Sequence, residues 1–128
     1  MTQVKKWSNQ ELNRKLAVLM GYTIEWSKTQ ERWSLLLGRK IRATSSGTVE
    51  LIWSYAPDYC TDPDASLEVQ AKAIGVDENV YFTKLLTLKG VILSPSLLDT
   101  YCAIALATPR QRAEAAYMTL QAYQVDKQ

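Results

Sequence analysis

The sequence predicts an α+β protein, with an antiparallel sheet of about five to six strands and about three helices packed on it. Three observations carry this reading. Helix-start signatures stand at Ser8, at Thr61-Asp62 and at Thr108. From Tyr22 onward the apolar spacing changes from helical to alternating. Turn signals at Gly38 and at Ser45-Ser46-Gly47 then cut the alternating region into strand-length pieces. With 128 residues, 47% hydrophobic and 22% charged, the chain suits one domain spanning 1–128, whose core needs neither disulfide nor metal.

The first helix begins after Ser8. Glu11, three positions on, completes a capping box, and Trp7 and Leu12 have hydrophobic-staple spacing. Leu12, Leu16, Leu19 and Met20 follow the helical period, and Gly21 ends the run. Asn13, Arg14 and Lys15 fall on the other face, expected to be wet. Tyr22, Ile24 and Trp26 alternate with Thr23, Glu25 and Ser27 as a half-buried strand. Thr29-Gln30-Glu31 is a polar turn, and 33–37 is a second strand closed by Gly38. Residues 40–44 and 48–55 read as two further strands of a hairpin about Ser45-Ser46-Gly47.

Thr61 or Asp62 caps the second helix, Pro63 takes its first position and Asp64 suits its positive end. Leu67, Ala71 and Ile74 share a face, and Gly75 is expected to end the helix. In 80–88, Asp77 could cap a helix, but Tyr81-Phe82-Thr83 favours a strand, which is the reading adopted. Residues 90–96, with Pro95, read as a loop. The alanine-rich stretch 101–107 suits a buried helix or a central strand. A strand is preferred because a fresh cap follows at Thr108. There, Pro109 opens the last helix and Gln111 completes a second capping box. Ala113, Ala116, Met118, Leu120 and Tyr123 supply its apolar surface, the alanines implying close approach to a sheet. From 125 onward the helix is expected to fray.

Composition excludes several chemistries. The sequence has no histidine, which removes Ser-His and Cys-His nucleophile pairs, imidazole acid/base catalysis and histidine-ligated zinc. Cys60 and Cys102 are too few for a thiolate metal site, and neither sits in a CxxC pair. They read as small buried thiols of a reducing compartment, with a disulfide as the alternative. No metal and no cofactor is expected. The five glycines form no phosphate-binding loop. A net charge of +2 argues against binding a nucleic-acid polymer through a basic stripe. No window is apolar enough for a membrane span and residues 1–20 lack a signal sequence, so a cytoplasmic protein without membrane contact is expected.

The strongest chemical signal lies at 107–116. A capped helix start presents unpaired N–H groups and partial positive charge, and Arg110 and Arg112 stand in its first turn. Together with the Thr108 hydroxyl they make a candidate seat for a phosphate or carboxylate. The alternative is a solvated face, with Arg110 paired to Glu114 at i,i+4. Trp53 and Tyr55, on one face of their expected strand, and Tyr59 before the second helix are candidates to stack a purine ring. Core packing or an oligomer interface is their other reading. Phe82, the only phenylalanine, is a further candidate contact or a core residue. Asp58, Asp62 and Asp64 cluster without the pattern of a calcium loop. Capping explains them, and Asp62 is also a candidate for a ribose hydroxyl.

The order of these elements resembles the phage ABA-sandwich family of small α/β proteins. The residues that carry the resemblance are Leu12 and Gly21, then Pro57, Tyr59, Thr61 and Asp62, then Ala107, Thr108, Pro109, Arg112 and Ala113. Cys60 stands where the family pattern often has serine, and 76–100 carries no matching residue. The overall plan is similar to phage anti-defence sponges, including the Thoeris anti-defence proteins. That similarity implies a homo-oligomeric protein, not an enzyme, that sequesters a small phosphorylated nucleotide signal without cleaving it, such as a cyclic ADP-ribose isomer or a cyclic oligonucleotide. The rival expectation is a phage protein–protein inhibitor of a host defence enzyme.

Overall fold

The structure, a computed structural model, describes residues 3–90 and 97–127. Its elements run α1 (Gln3–Lys6), α2 (Asn9–Leu19), β1 (Tyr22–Ser27), β2 (Arg32–Leu37), β3 (Lys40–Ser45), α3 (Val49–Trp53), α4 (Pro63–Leu88), α5 (Leu97–Leu106) and α6 (Pro109–Lys127). The architecture is α+β. Among the described residues it holds one antiparallel sheet of three strands, in the order β1-β2-β3, and six helices.

The helix caps form as their sequence requires. Ser8 accepts the N–H of Glu11 at 3.1 Å to start α2. Asp62 accepts the N–H of Asp64 at 3.2 Å, with Pro63 at the first position of α4. Thr108 and Gln111 bond reciprocally at the start of α6: the N–H of Gln111 donates to the Thr108 hydroxyl at 3.1 Å, and the N–H of Thr108 donates to Oε1 of Gln111 at 3.0 Å. Gly21 turns the chain from α2 into β1 at φ +102°, a left-handed conformation that a side chain would oppose.

The main core lies between helices. The most extensive interface joins α4 to α6, where Ala113, Ala115 and Ala116 are fully buried together with Val69 and Ala73. The alanines bring α6 close to another helix, not to a sheet. Leu12 and Leu16 dock α2 on the same core. The sheet stands beside it. Leu35 of β2 and Ile52 of α3 are fully buried, and α3 packs on β2 and β3.

The three missing strands are helices. Residues 48–55 hold α3, capped by Thr48, whose hydroxyl accepts the N–H of Leu51 at 3.2 Å. Val49, Ile52 and Trp53 have the helical i, i+3, i+4 spacing that the β-favouring composition masked. Residues 80–88 form the second part of α4. Tyr81, Leu85 and Leu86 are buried at helical spacing, and Asp77 restarts the helix by accepting the N–H of Val80 at 3.1 Å. The break falls at Asp77 (φ −159°, ψ 94°) and not at Gly75. Residues 101–106 belong to α5, so the alanine-rich stretch is helix. The expected loop 90–96 lies almost wholly outside the described residues.

Candidate functional site

The corner at the start of α6 is occupied by the protein itself. A guanidinium has five N–H donors in a fixed fork, and those of Arg110 face five acceptors. Nε donates to Glu114 at 2.8 Å. Nη1 donates to Oδ1 of Asn9 at 2.9 Å and touches Sγ of Cys60 at 3.9 Å. Nη2 donates to the carbonyls of Val4 at 2.9 Å and Trp7 at 2.8 Å. Side-chain exposures of 24% for Arg110 and 9% for Glu114 put the ion pair mostly out of water. Arg110 therefore clasps the amino-terminal segment and the turn before α4 onto α6. The Thr108 hydroxyl is engaged by the cap. In this arrangement Arg110 has no N–H left to offer an outside anion.

Arg112 differs. Its Nη1 donates to the buried Ser66 hydroxyl at 3.0 Å, while its buried Nε has no hydrogen-bond partner. It stands between α6 and α4, near Tyr81, whose hydroxyl donates to Oε1 of Gln70 at 2.6 Å. Burial pushes the Tyr81 hydroxyl above its ordinary value, with Arg112 opposing.

The aromatic candidates separate. Tyr59 is 1% exposed, a core residue whose hydroxyl burial also raises, so it presents no ring to a ligand. Phe82 packs against the core and meets the Tyr81 ring edge-on at 5.6 Å. Tyr55 lies beyond the end of α3 and is 54% exposed. Trp53 sits at the last position of α3, so it shares no strand face with Tyr55. Asp62 is the N-cap of α4, its carboxylate turned to the helix.

Trp53 stands in a cleft. A space of about 380 Å³ opens between α2 and α3, lined by Gln10, Glu11, Asn13, Arg14, Glu50, Trp53, Ser54, Ala56 and Asp58. The Arg14 guanidinium lies over the Trp53 ring, 5.4 Å from its centroid, at cation–π distance. The indole Nε1 is buried and has no partner among the protein groups. Asn13 bridges to the far wall: its Nδ2 donates to Asp58 at 2.9 Å, and its Oδ1 accepts the N–H of Cys60 at 3.1 Å. Partial burial raises the Asp58 carboxyl. Hydrogen bonds from the Thr61 hydroxyl, Asn13 and the N–H groups of Thr61 and Cys60 outweigh this and hold it below its ordinary value. A shallower groove of about 610 Å³ lies on the other side of α2, sharing Glu11 and Arg14.

Of the sequence-derived candidates, only Trp53 lines this cleft. Arg14 is exposed, as the sequence led us to expect, and Asn13 is half-buried. Their partners lie on α3 and in the turn before α4, so no local pattern marks them. Lys15 next door covers the Trp7 ring at 4.7 Å from its centroid. Both cysteines are free. Cys60 is buried, its thiol pushed up to about 11 by desolvation against the opposing charge of Arg110, whereas Cys102 is exposed, contrary to expectation. Among the described residues no group of His, Cys, Asp and Glu could hold a metal ion, and no helix is long and apolar enough to cross a membrane. Comparison with protein-family models, with curated proteins and with solved structures finds no match.

Proposed function

We propose that this chain is a non-catalytic binding protein that captures a small nucleotide-type ligand, its base held in the α2–α3 cleft. One observation carries the reading: an indole face with a guanidinium over it, beside a buried Nε1–H that has no partner. A planar heteroaromatic ring has a π face for Trp53 and acceptors for that N–H. Glu11, Glu50 and Asp58 outnumber Arg14 around the cleft. That charge favours the base inside and phosphates at the mouth, and it suits bases with exocyclic amines. The absence of histidine supports capture without cleavage. The resemblance to phage sponges supports a cyclic ADP-ribose isomer or cyclic oligonucleotide as the signal, with a homo-oligomer closing the open side of the cleft.

The test is depletion and release. The protein is incubated with cyclic ADP-ribose isomers and cyclic dinucleotides, removed by filtration and heated. Stoichiometric depletion is expected, with the ligand returned intact. Stacking on an aromatic side chain is worth about 1–3 kcal/mol, so Trp53→Ala weakens capture by roughly 5- to 150-fold. Product on heating would make the protein an enzyme. Equal capture by Trp53→Ala would move the site elsewhere. No depletion would favour the second reading, an inhibitor of a host enzyme, which the exposed Leu51 and Tyr55 flanking Trp53 support.

A further inference from the structure

We infer that the base held in the α2–α3 cleft is guanine, recognised through its N1–H and N2–H groups by the Glu50 carboxylate. The inference rests on the preceding reading, in which the cleft takes a base against Trp53, and it adds which base. What carries it is the set of hydrogen-bonding groups that the cleft walls leave free.

Of the three carboxylates in the cleft, the protein engages two. Glu11 accepts the Ser8 hydroxyl at 3.3 Å, beside the cap of α2. One oxygen of Asp58 accepts Nδ2 of Asn13 at 2.9 Å and the N–H of Thr61 at 3.2 Å, and the other accepts the Thr61 hydroxyl. Glu50 differs. It is exposed, and among the described residues its carboxylate has no hydrogen-bond or ion-pair partner. Its place is set by α3, where it stands three residues before Trp53. That spacing puts both side chains on one face of the helix, and both line the cleft.

An ionised carboxylate offers two acceptor oxygens and no donor. It pairs most strongly with two parallel N–H groups, as it does with a guanidinium fork. Among the common bases only guanine presents such a pair, N1–H and N2–H. Adenine and cytosine set an amine beside a ring-nitrogen acceptor, so one carboxylate oxygen would face a lone pair. Uracil and thymine set one N–H between two carbonyls. In each of these an acceptor meets an acceptor, and a polar group left unpaired costs more than a made hydrogen bond contributes. Arg14 shows that the Trp53 ring accepts this shape. Its guanidinium lies over the indole, 5.4 Å from the centroid, with no hydrogen-bond or ion-pair partner among the described residues. The N1–C2–N2 edge of guanine is the same N–C–N fragment carried on a flat ring, and it takes that place. Arg14, which is exposed, then turns to the phosphates at the mouth, where it gains charge-assisted bonds.

The test is equilibrium dialysis of the full chain against two pairs of ligands, cyclic di-GMP with cyclic di-AMP and GTP with ATP. The first pair reads the base on a cyclic dinucleotide and the second on a linear nucleotide. Guanine should be held about tenfold or more tighter than adenine in at least one pair. Cyclic di-IMP, whose base keeps N1–H and lacks the N2 amine, should bind about tenfold more weakly than cyclic di-GMP. Glu50→Gln sets a donor beside an acceptor, which suits adenine. It should therefore weaken the guanine ligand about tenfold and tighten the adenine one. A Glu50 that serves only the first turn of α3 would change stability and leave that ratio alone. Adenine held as tightly as guanine in both pairs overturns the guanine assignment, and so does an unchanged ratio in Glu50→Gln. Where Trp53→Ala still weakens capture in those cases, the cleft reading stands without it. Capture indifferent to Trp53→Ala, or no capture of these ligands or of cyclic ADP-ribose isomers, overturns both.

Discussion

Arg110→Ala is the substitution on which the sequence and the structure disagree most sharply. An arginine on a solvated helix face, or one that grips a ligand, costs little stability when removed. The clasp described here costs much. Removing it leaves the Glu114 carboxylate, 9% exposed, without its 2.8 Å partner. It also strips the donor from the carbonyls of Val4 and Trp7 and from the Asn9 amide. Breaking a buried ion pair from one side costs about 3–5 kcal/mol. Because Arg110 keeps 24% of its side-chain exposure, the lower end, about 3 kcal/mol, applies. At roughly 3–5 °C per kcal/mol for a chain of this size, Tm should fall by about 10–15 °C. Urea unfolding of the parent, Arg110→Ala, Glu114→Ala and the double variant completes a thermodynamic cycle, in which a coupling energy of about 1–3 kcal/mol is expected. A loss within about 0.5 kcal/mol, the worth of an exposed i,i+4 pair, would refute the clasp and return Arg110 to the candidates for anion binding.

Thr108→Ala should cost about 1 kcal/mol in urea unfolding, because the N–H of Gln111 loses its cap. Cys102 should react with a thiol reagent in the native state and Cys60 only on unfolding, as a titration with and without urea will show. Burial raises the Cys60 thiol from 9.0 to about 11. Its contribution to stability is therefore complete below pH 9 and is lost as the pH rises toward 11. Cys60→Ala should remove the earliest part of this alkaline loss, ahead of the buried tyrosines. Asp58 acts at the other end. Its folded-state value lies below 3.8, so its contribution is present above that pH and disappears as the pH falls through the folded value. Asp58→Asn should flatten the acid limb of urea midpoint against pH.

The helix starts were legible because capping is a local code. Ser8 with Glu11, Asp62 with Pro63 and Thr108 with Gln111 each form within four residues of sequence. The three strands were legible from alternation and from the left-handed glycines Gly21 and Gly38 beside them. The alanine-rich 101–107 was misread on the ground of the fresh cap at Thr108, which marks the start of the next helix and says nothing of the element before it. In 48–55 and 80–88 the ground was different: the β-branched and aromatic residues fit a pleated surface, but Ile52 and Tyr81 are buried on helices. In windows this short, packing against neighbouring helices overrides propensity.

The site was legible in part. Trp53 was identifiable as an aromatic with a stacking face, though on the wrong element. Arg14 acts through Trp53 across the gap between α2 and α3, and Asn13 reaches Asp58, 45 positions away in the turn before α4. The anion seat drawn at Arg110 follows from helix-terminus electrostatics. Those electrostatics cannot reveal that acceptors more than 100 positions earlier fill the same donors.

The cleft is tested most directly at the Trp53 indole. In a ¹⁵N–¹H spectrum the four tryptophans give four indole signals, and Trp53→Phe assigns the one that matters. Titration with the captured nucleotide should move that signal downfield as the buried Nε1–H gains an acceptor, and leave the Trp26 and Trp33 signals in place. Capture of the nucleotide with the Trp53 signal unmoved would contradict the assignment of the cleft as the binding site.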